Sequence, residues 1–230
     1  MLLHGHVFTA PTGIRGFDAN ASIEPSVAAA FHDHGYRFCV RYVRRADAHP
    51  FDLTADEATC LLDAGLGVMM VQHVESETAW SPTGEKGTAN GQTAAHEADK
   101  IGVPAGVTLW CDLEGVAPGT SSQDVTDYCN QWHTAVASSG YVPGLYVGFH
   151  SGLNPTQLYR SLRFTHYWGA YNLNSDESPA VRGLQMKQAA AKPVDTFSGT
   201  KPQFQVDRVR ADALGGAPTL LAPDGWLEQL

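Results

Sequence analysis

The stretch Val107-Thr-Leu-Trp-Cys-Asp-Leu-Glu114 decides how this chain is read. Residues that favour strands run without a break into two acids one residue apart. An unbroken apolar run of this length reads as a strand buried on both faces, the kind found in parallel sheets. Residues i and i+2 of a strand point to one face, with Cα atoms roughly 6.6 Å apart, so Asp112 and Glu114 lie side by side. Two neighbouring carboxylates repel as anions. One pKa rises, and that group can donate a proton near neutral pH while its neighbour stays charged. Trp110 and Cys111 set the pair at the edge of an apolar core, which raises a carboxyl pKa further.

Strands and helices alternate on either side of this stretch. Upstream, strands are expected at Ile14–Asp18, Arg37–Val43 and Gly67–Val74, with helices at Glu24–Gly35, from Thr54 to Gly65, and at Gln92–Ile101. Thr54-Ala-Asp-Glu57 is a capping box, in which the Thr hydroxyl accepts from an amide three residues on and the Glu reaches back. Glu75 to about Lys86 reads as a polar loop. Downstream, Ser121-Ser-Gln-Asp124 opens a helix carrying Val125, Tyr128, Cys129, Trp132 and Val136 at helical spacing. A strand follows at Gly144–Phe149, and Asn154-Pro155 caps a short helix. Beyond it the helices thin out, and Tyr167–Tyr171, Leu184–Ala189 and Phe204–Val209 read as strands. About eight parallel-type strands, with helices mainly between the early ones, point to an α/β, TIM-like closed barrel. No GxGxxG follows the first strand, which removes support for a dinucleotide fold. We read residues 14–213 as the barrel, 1–13 as an N-terminal extension and 214–230 as a tail.

In such a barrel the site lies at the C-terminal ends of the strands. Three separate strands deliver acids there: Asp18, the Asp112/Glu114 pair and Asp207. Each has a plain structural reading too. Asp18 can cap the following loop, and Asp207 can pair with Arg208 or Arg41. Their coincidence on one rim favours chemistry, and two carboxyls with divided protonation suit glycoside hydrolysis. Tyr146 sits mid-strand, where it either faces the site or fills the core. Trp80, on the loop after the third strand, either stacks on a sugar or folds back onto the barrel. Trp168, Tyr171 and Asn172 end a strand and are candidate rim contacts.

These residues carry a resemblance. The chain is similar to the glycoside-hydrolase-like domain related to the lysozymes of glycoside hydrolase family 25. The similar stretches are Gly16-Phe17-Asp18, Tyr36 to Tyr42, Leu53 to Leu66, Gly91 to Gly106, the strand ending Asp112-Leu113-Glu114, Gly144 to Gly148, and Gln205-Val206-Asp207. The resemblance implies a barrel whose first five strands are followed by helices and whose last three mostly are not. It implies that the substrate is the β-1,4 glycan of bacterial peptidoglycan, cleaved as a muramidase does. It assigns the general acid to Glu114 and support of the transition state, or of a substrate-assisted intermediate, to Asp112. The first-strand and last-strand acids map onto Asp18 and Asp207. Where the lysozymes place Trp-Gln on a late strand, the matching pair here is Lys187-Gln188. The same barrel also suits a catalytically inactive glycan-binding or structural module of a phage particle or cell envelope. The intact Asp-x-Glu favours the enzyme, and the missing Trp favours the binder.

Composition narrows the partners. The formal net charge is −9, and the basic residues form no cluster beyond Arg44-Arg45 and the Arg208/Arg210 pair, so nucleic acid is an unfavourable partner. The 10 histidines form no HExxH: His32 and His34 do not share a helical face, and His4 and His6 lie in an untethered terminus. Neither a metal nor a cofactor is expected. No GxSxG occurs, and the Ser-Gly pairs at 139–140, 151–152 and 198–199 look like turns. The 4 cysteines, Cys39, Cys60, Cys111 and Cys129, are widely spaced and read as buried thiols. No classical signal peptide and no run of about 20 apolar residues is present. Action at the cell wall then implies delivery, as a phage lysin or a trimmed secreted protein; otherwise the chain is cytoplasmic. The sequence says nothing of oligomeric state.

Overall fold

The structure is a computed structural model and describes residues 2–76, 78–173, 178–179, 184–190, 204–210 and 216–230. The expected turn at Ser198-Gly199 and the boundary at 213/214 lie outside the described residues. Among the described residues there are ten strands: β1 (His6–Thr9), β2 (Arg15–Ala19), β3 (Phe38–Val43), β4 (Gly67–Gln72), β5 (Thr108–Leu113), β6 (Val142–Val147), β7 (His166–Gly169), β8 (Met186–Ala190), β9 (Gln205–Val209) and β10 (Thr219–Ala222). The helices are α1 (Pro25–Asp33), α2 (Ala55–Asp63), α3 (Gly84–Ile101), α4 (Ser122–Ser138) and α5 (Pro155–Arg160).

Strands β2 to β9 close into an eight-stranded barrel, because β4 pairs with both β3 and β5 while β2 pairs with β9. The pairs from β2 round to β8 are parallel, but β9 runs antiparallel to β8 and to β2. The five helices follow the first five barrel strands. Each parallel step needs a crossover, and an amphipathic helix covers the outer sheet face in making it.

The alternation of each strand sorts its side chains into two cores. Outward residues such as Phe17, Cys39, Met70, Cys111 and Leu145 pack under the helices. The Phe17 and Phe31 rings stack there with centroids 3.6 Å apart. Inward residues, among them Phe38, Val40, Met69, Trp110, Trp168 and Met186, fill the barrel. Glycines make room for the large ones. A Cβ on Gly144 would fall 2.3 Å from the Trp110 ring, and one on Gly16 would fall 2.4 Å from the Phe38 ring.

Two elements depart from expectation. Helix α3 starts at Gly84, eight residues before the expected Gln92, with the Thr83 hydroxyl accepting from Lys86 N. Gly87, Ala89, Asn90 and Gly91 look like loop residues. The two glycines serve instead to let two helices touch, since a Cβ on Gly87 would lie 2.2 Å from Tyr128 O and one on Gly91 would lie 2.7 Å from Trp132 O, both on α4. The N-terminus is also tethered. Strand β1 pairs antiparallel with β10, and β10 bridges to β4 through Leu221 and Val68. Leu220, Ala222 and Trp226 close the lower end of the barrel interior. Cys39, Cys111 and Cys129 are buried thiols, and Cys60 is half-buried.

Candidate active site

The expected acids come together at the C-terminal end of the parallel strands. Asp18 is the fourth residue of β2, on the inward face opposite Phe17. Asp112 shares the inward face of β5 with Trp110, while Cys111 and Leu113 face the helices. Glu114 follows on the same face and reaches the open cavity. Its side chain occupies the space over Gly148: a Cβ there would lie 2.2 Å from Glu114 Oε2. The reversed direction of β9 puts Gln205 opposite Asp18 and Asp207 opposite Gly16, so Asp207 sits one layer below the rim.

A hydrogen-bonded network ties this floor together. Trp168 Nε1 donates to Asp207 Oδ1 at 2.8 Å. Asp207 and Asp18 are hydrogen-bonded to each other. Gln188 Nε2 donates to Asp18 Oδ2 at 2.8 Å, and Gln188 Oε1 accepts from the Tyr146 hydroxyl at 3.2 Å and from Tyr171 N at 3.1 Å. Burial pushes Asp18 up to about 7, although its bonds from Gln188 and Asp207 pull the other way. Asp207 is raised well above the usual range, first by burial, then by the charge of Asp18 and by the bond it makes to Asp18. Both shifts place the shared proton on Asp207, which donates it to Asp18. Among the described residues Asp207 Oδ2 meets no donor, as suits a protonated carboxyl.

Two phenols overlook the acids. Tyr42 and Tyr146 are raised well above the ordinary tyrosine value, mainly by burial and then by surrounding carboxylates. For Tyr42 these are Asp18, Asp112, Glu114 and Asp207; for Tyr146 they include Asp112, Glu114 and Asp18. All four expected acids therefore act on one point, and both hydroxyls stay protonated as donors. Above them opens a cavity of about 640 Å³ lined by Asp18, Tyr42, Glu114, Tyr146 and Gln188, with Phe51 and Tyr171 at its rim. Both rim aromatics are about half exposed, at 51% and 52%. Among the described residues, no group of three or more His, Cys, Asp or Glu is placed to hold a metal ion.

Tyr146 faces the site, and Tyr171 and Asn172 line the cavity. Two tryptophans are elsewhere. Trp80 is 3% exposed, donates from Nε1 to Glu114 O at 2.6 Å and packs edge-on against Tyr128 of α4. It therefore folds back onto the barrel, where it fixes the backbone of Glu114 and offers no sugar platform. Trp168 is wholly buried beneath the site, because it points into the barrel to reach Asp207, and it makes no rim contact. Arg41 does not pair with Asp207. It lies on the outward face and binds Glu57, with Nε to Oε1 at 2.7 Å. Lys187, on the face of β8 opposite Gln188, donates to Ala170 O.

Tyr42 and Phe51 are site residues that the strand-end argument passed over. Tyr42 follows Phe38 and Val40 at the two-residue period of an inward face, and that alternation was the signal. Phe51 lies in an irregular loop and has no periodicity. Its carbonyl accepts from Arg41 Nη2 at 2.7 Å, which holds the loop over the mouth.

Comparison with known proteins agrees with this fold. The chain superposes on the Tat-secreted protein Rv2525c of Mycobacterium tuberculosis with a TM-score of 0.62 at 15% identity, over 89% of this chain and 98% of that one. A family 25 glycosyl hydrolase from Bacillus anthracis gives 0.58 at 16% identity, over 91% and 94%. A bacterial lysozyme from Streptomyces coelicolor gives 0.56 at 12% identity, over 89% and 95%. At these identities the likeness is one of fold. No curated protein sequence matches. Residues 29–209 match the family model described as Rv2525c-like, glycoside hydrolase-like domain, and the chain belongs to that family.

Proposed function

We propose that this protein hydrolyses the β-1,4 glycan of bacterial peptidoglycan as a muramidase does. The observation that carries the reading is the placement of Glu114: the acid stands in an open polar cleft, in a space cleared by Gly148, with Asp112 on the same strand face just below it. Glu114 protonates the leaving glycosidic oxygen. Asp112 offsets positive charge at the anomeric centre, directly or through the substrate's acetamido group. Asp18, fixed by Gln188 and by the proton on Asp207, offers an acceptor to the substrate or to water, while Tyr42 and Tyr146 offer donors. Phe51 and Tyr171 are half-exposed aromatics lining the cavity, the residue type that sugar stacking uses. Family 25 glycosyl hydrolases and bacterial lysozymes share the fold. The Mycobacterium tuberculosis relative is Tat-secreted, and export to the wall fits the substrate of this chain too. Among the described residues, no helix is long and apolar enough to cross a membrane.

The binding-module reading draws on one observation, that β8 offers Lys187 and no aromatic platform beside Gln188. Incubation with purified peptidoglycan separates the two. A hydrolase releases soluble fragments with new reducing ends, identifiable by mass spectrometry, whereas a binder only sediments with the wall.

A further inference from the structure

The cleft does not end at its rim. Asn20 and Phe51 line it on one side and, on the other, line a second cavity of about 430 Å³ under the loops that follow β3 and β4. That volume lies in the range of about 300–1,000 Å³ typical of ligand pockets. Unlike the cleft, the second cavity carries charges of both signs: Arg45 on one loop, Asp47 beside it, and Glu75 on the other.

The charges are not equally matched. Lys86 Nζ donates to both oxygens of Glu75 at 3.0 Å. Arg45 reaches the same carboxylate only at 3.6 Å through Nη1, and its side chain stays 21% exposed on the cavity wall. A guanidinium in this state is set to receive a carboxylate from outside the chain. The wall of the cavity is already ordered. His73 Nε2 is 3.0 Å from Asp52 Oδ1, and the His49 amide donates to Asp52 Oδ2 at 2.7 Å. The His73 ring packs 4.8 Å from that of Tyr42, which lines the cleft. Burial holds His73 below the ordinary histidine value despite Asp52, so the ring adds no cation near neutral pH.

We propose that this side pocket binds the stem peptide of the wall glycan, an inference that rests on the peptidoglycan reading above. N-acetylated sugar rings present hydroxyls and amides but no ammonium group. The peptide branching from the glycan carries free carboxylates and, on its diamino acid, an amine. Arg45 takes a carboxylate, and Asp47, exposed on its loop, stands ready for the amine. The peptide leaves the glycan sideways, and the pocket lies to the side of the cleft across Phe51.

The test uses equilibrium binding, so it does not depend on turnover. The full chain carrying Glu114→Gln is titrated calorimetrically with a wall tetrasaccharide bearing its tetrapeptides, and with the same tetrasaccharide stripped of them and amidated at the carboxyl groups so exposed. The peptide-bearing ligand is expected to bind about ten-fold tighter, the worth of one charge-assisted hydrogen bond. That preference should disappear in Arg45→Ala. It should also disappear in Ser76→Tyr, which fills the pocket from its loop and guards against a folding artefact in the first variant. Equal affinity for the two ligands overturns the proposal and leaves the glycan reading standing. Variants that weaken both ligands equally also overturn it, since the pocket then holds sugar. If neither ligand binds, the glycan reading fails and this one with it.

Discussion

Gly148 leaves the space that the Glu114 side chain fills: a Cβ on Gly148 would lie 2.2 Å from Glu114 Oε2 and 2.6 Å from Glu114 Cβ. Neither approach is tolerable: the Glu114 carboxyl can swing toward the cavity, but the 2.6 Å approach to its Cβ also requires the strand-end backbone to shift by a few tenths of an ångström or more. Gly148→Ala is therefore expected to leave the chain folded while displacing the acid. A misplacement of about 1 Å can cost about 10²-fold in rate. The check is turnover on peptidoglycan together with a circular dichroism spectrum. A variant with unchanged turnover would remove Glu114 from the centre of the account.

The Asp18–Asp207 pair gives stability a pH dependence of known sign. Both carboxyls hold protons more tightly in the folded chain than in the unfolded one, where an aspartate titrates near about 3.9. The stability they contribute is complete below that value. It is lost as the pH rises through about 7 for Asp18 and through a higher value for Asp207. Melting temperature should fall between pH 5 and pH 8, and Asp18→Asn, which has no charge to bury, should flatten the slope. Thermal melts across that range decide it. A slope unchanged by the substitution would mean that Asp18 does not set it.

Trp80 belongs to the framework. Trp80→Ala should lower stability by about 3–5 kcal/mol, as for other buried aromatics cut back to alanine, and Trp80→Phe by about 1 kcal/mol through loss of the bond to Glu114 O. Urea unfolding measures both. A rise in KM with no loss of stability would instead mark a sugar platform.

Arg41 and Glu57 form a buried clamp behind the mouth. Arg41 also binds the carbonyls of Ala19 and Phe51, and Glu57 Oε1 accepts from Ile23 N at 2.9 Å. Removing one partner strands a buried charge, so Arg41→Met should cost about 3–5 kcal/mol. Arg41→Met with Glu57→Leu should cost less than Arg41→Met alone. Equilibrium unfolding of the single and double variants checks it; a double variant less stable than the single would contradict the clamp.

The barrel was legible because several of its strands are apolar runs ending in acids and its helices open on capping side chains, such as Thr54, which accepts from Glu57 N; the expected capping box there is only half formed, because the Glu57 side chain turns to Arg41 and Ile23 N. Inward-facing Asp112 and Glu114 follow from the two-residue period alone. Strand direction did not follow: Gln205–Val209 alternates alike whichever way it runs, so the depth of Asp207 was hidden. Trp80 and Trp168 misled because a tryptophan near a strand end looks the same in sequence whether it stacks on a ligand or donates inward. The start of α3 was masked by glycines whose purpose, contact with α4, is tertiary.

The central claim is that Glu114 is the proton donor of a wall hydrolase, and one comparison tests it most directly. Wild-type protein and Glu114→Gln are incubated with purified peptidoglycan, and released fragments are identified by mass spectrometry. The substitution keeps the shape and removes the proton, and general acid catalysis is worth about 10²–10⁴-fold. The account predicts muropeptides from the wild type and a loss of that order in Glu114→Gln. Equal release from both proteins, or release from neither, would contradict it.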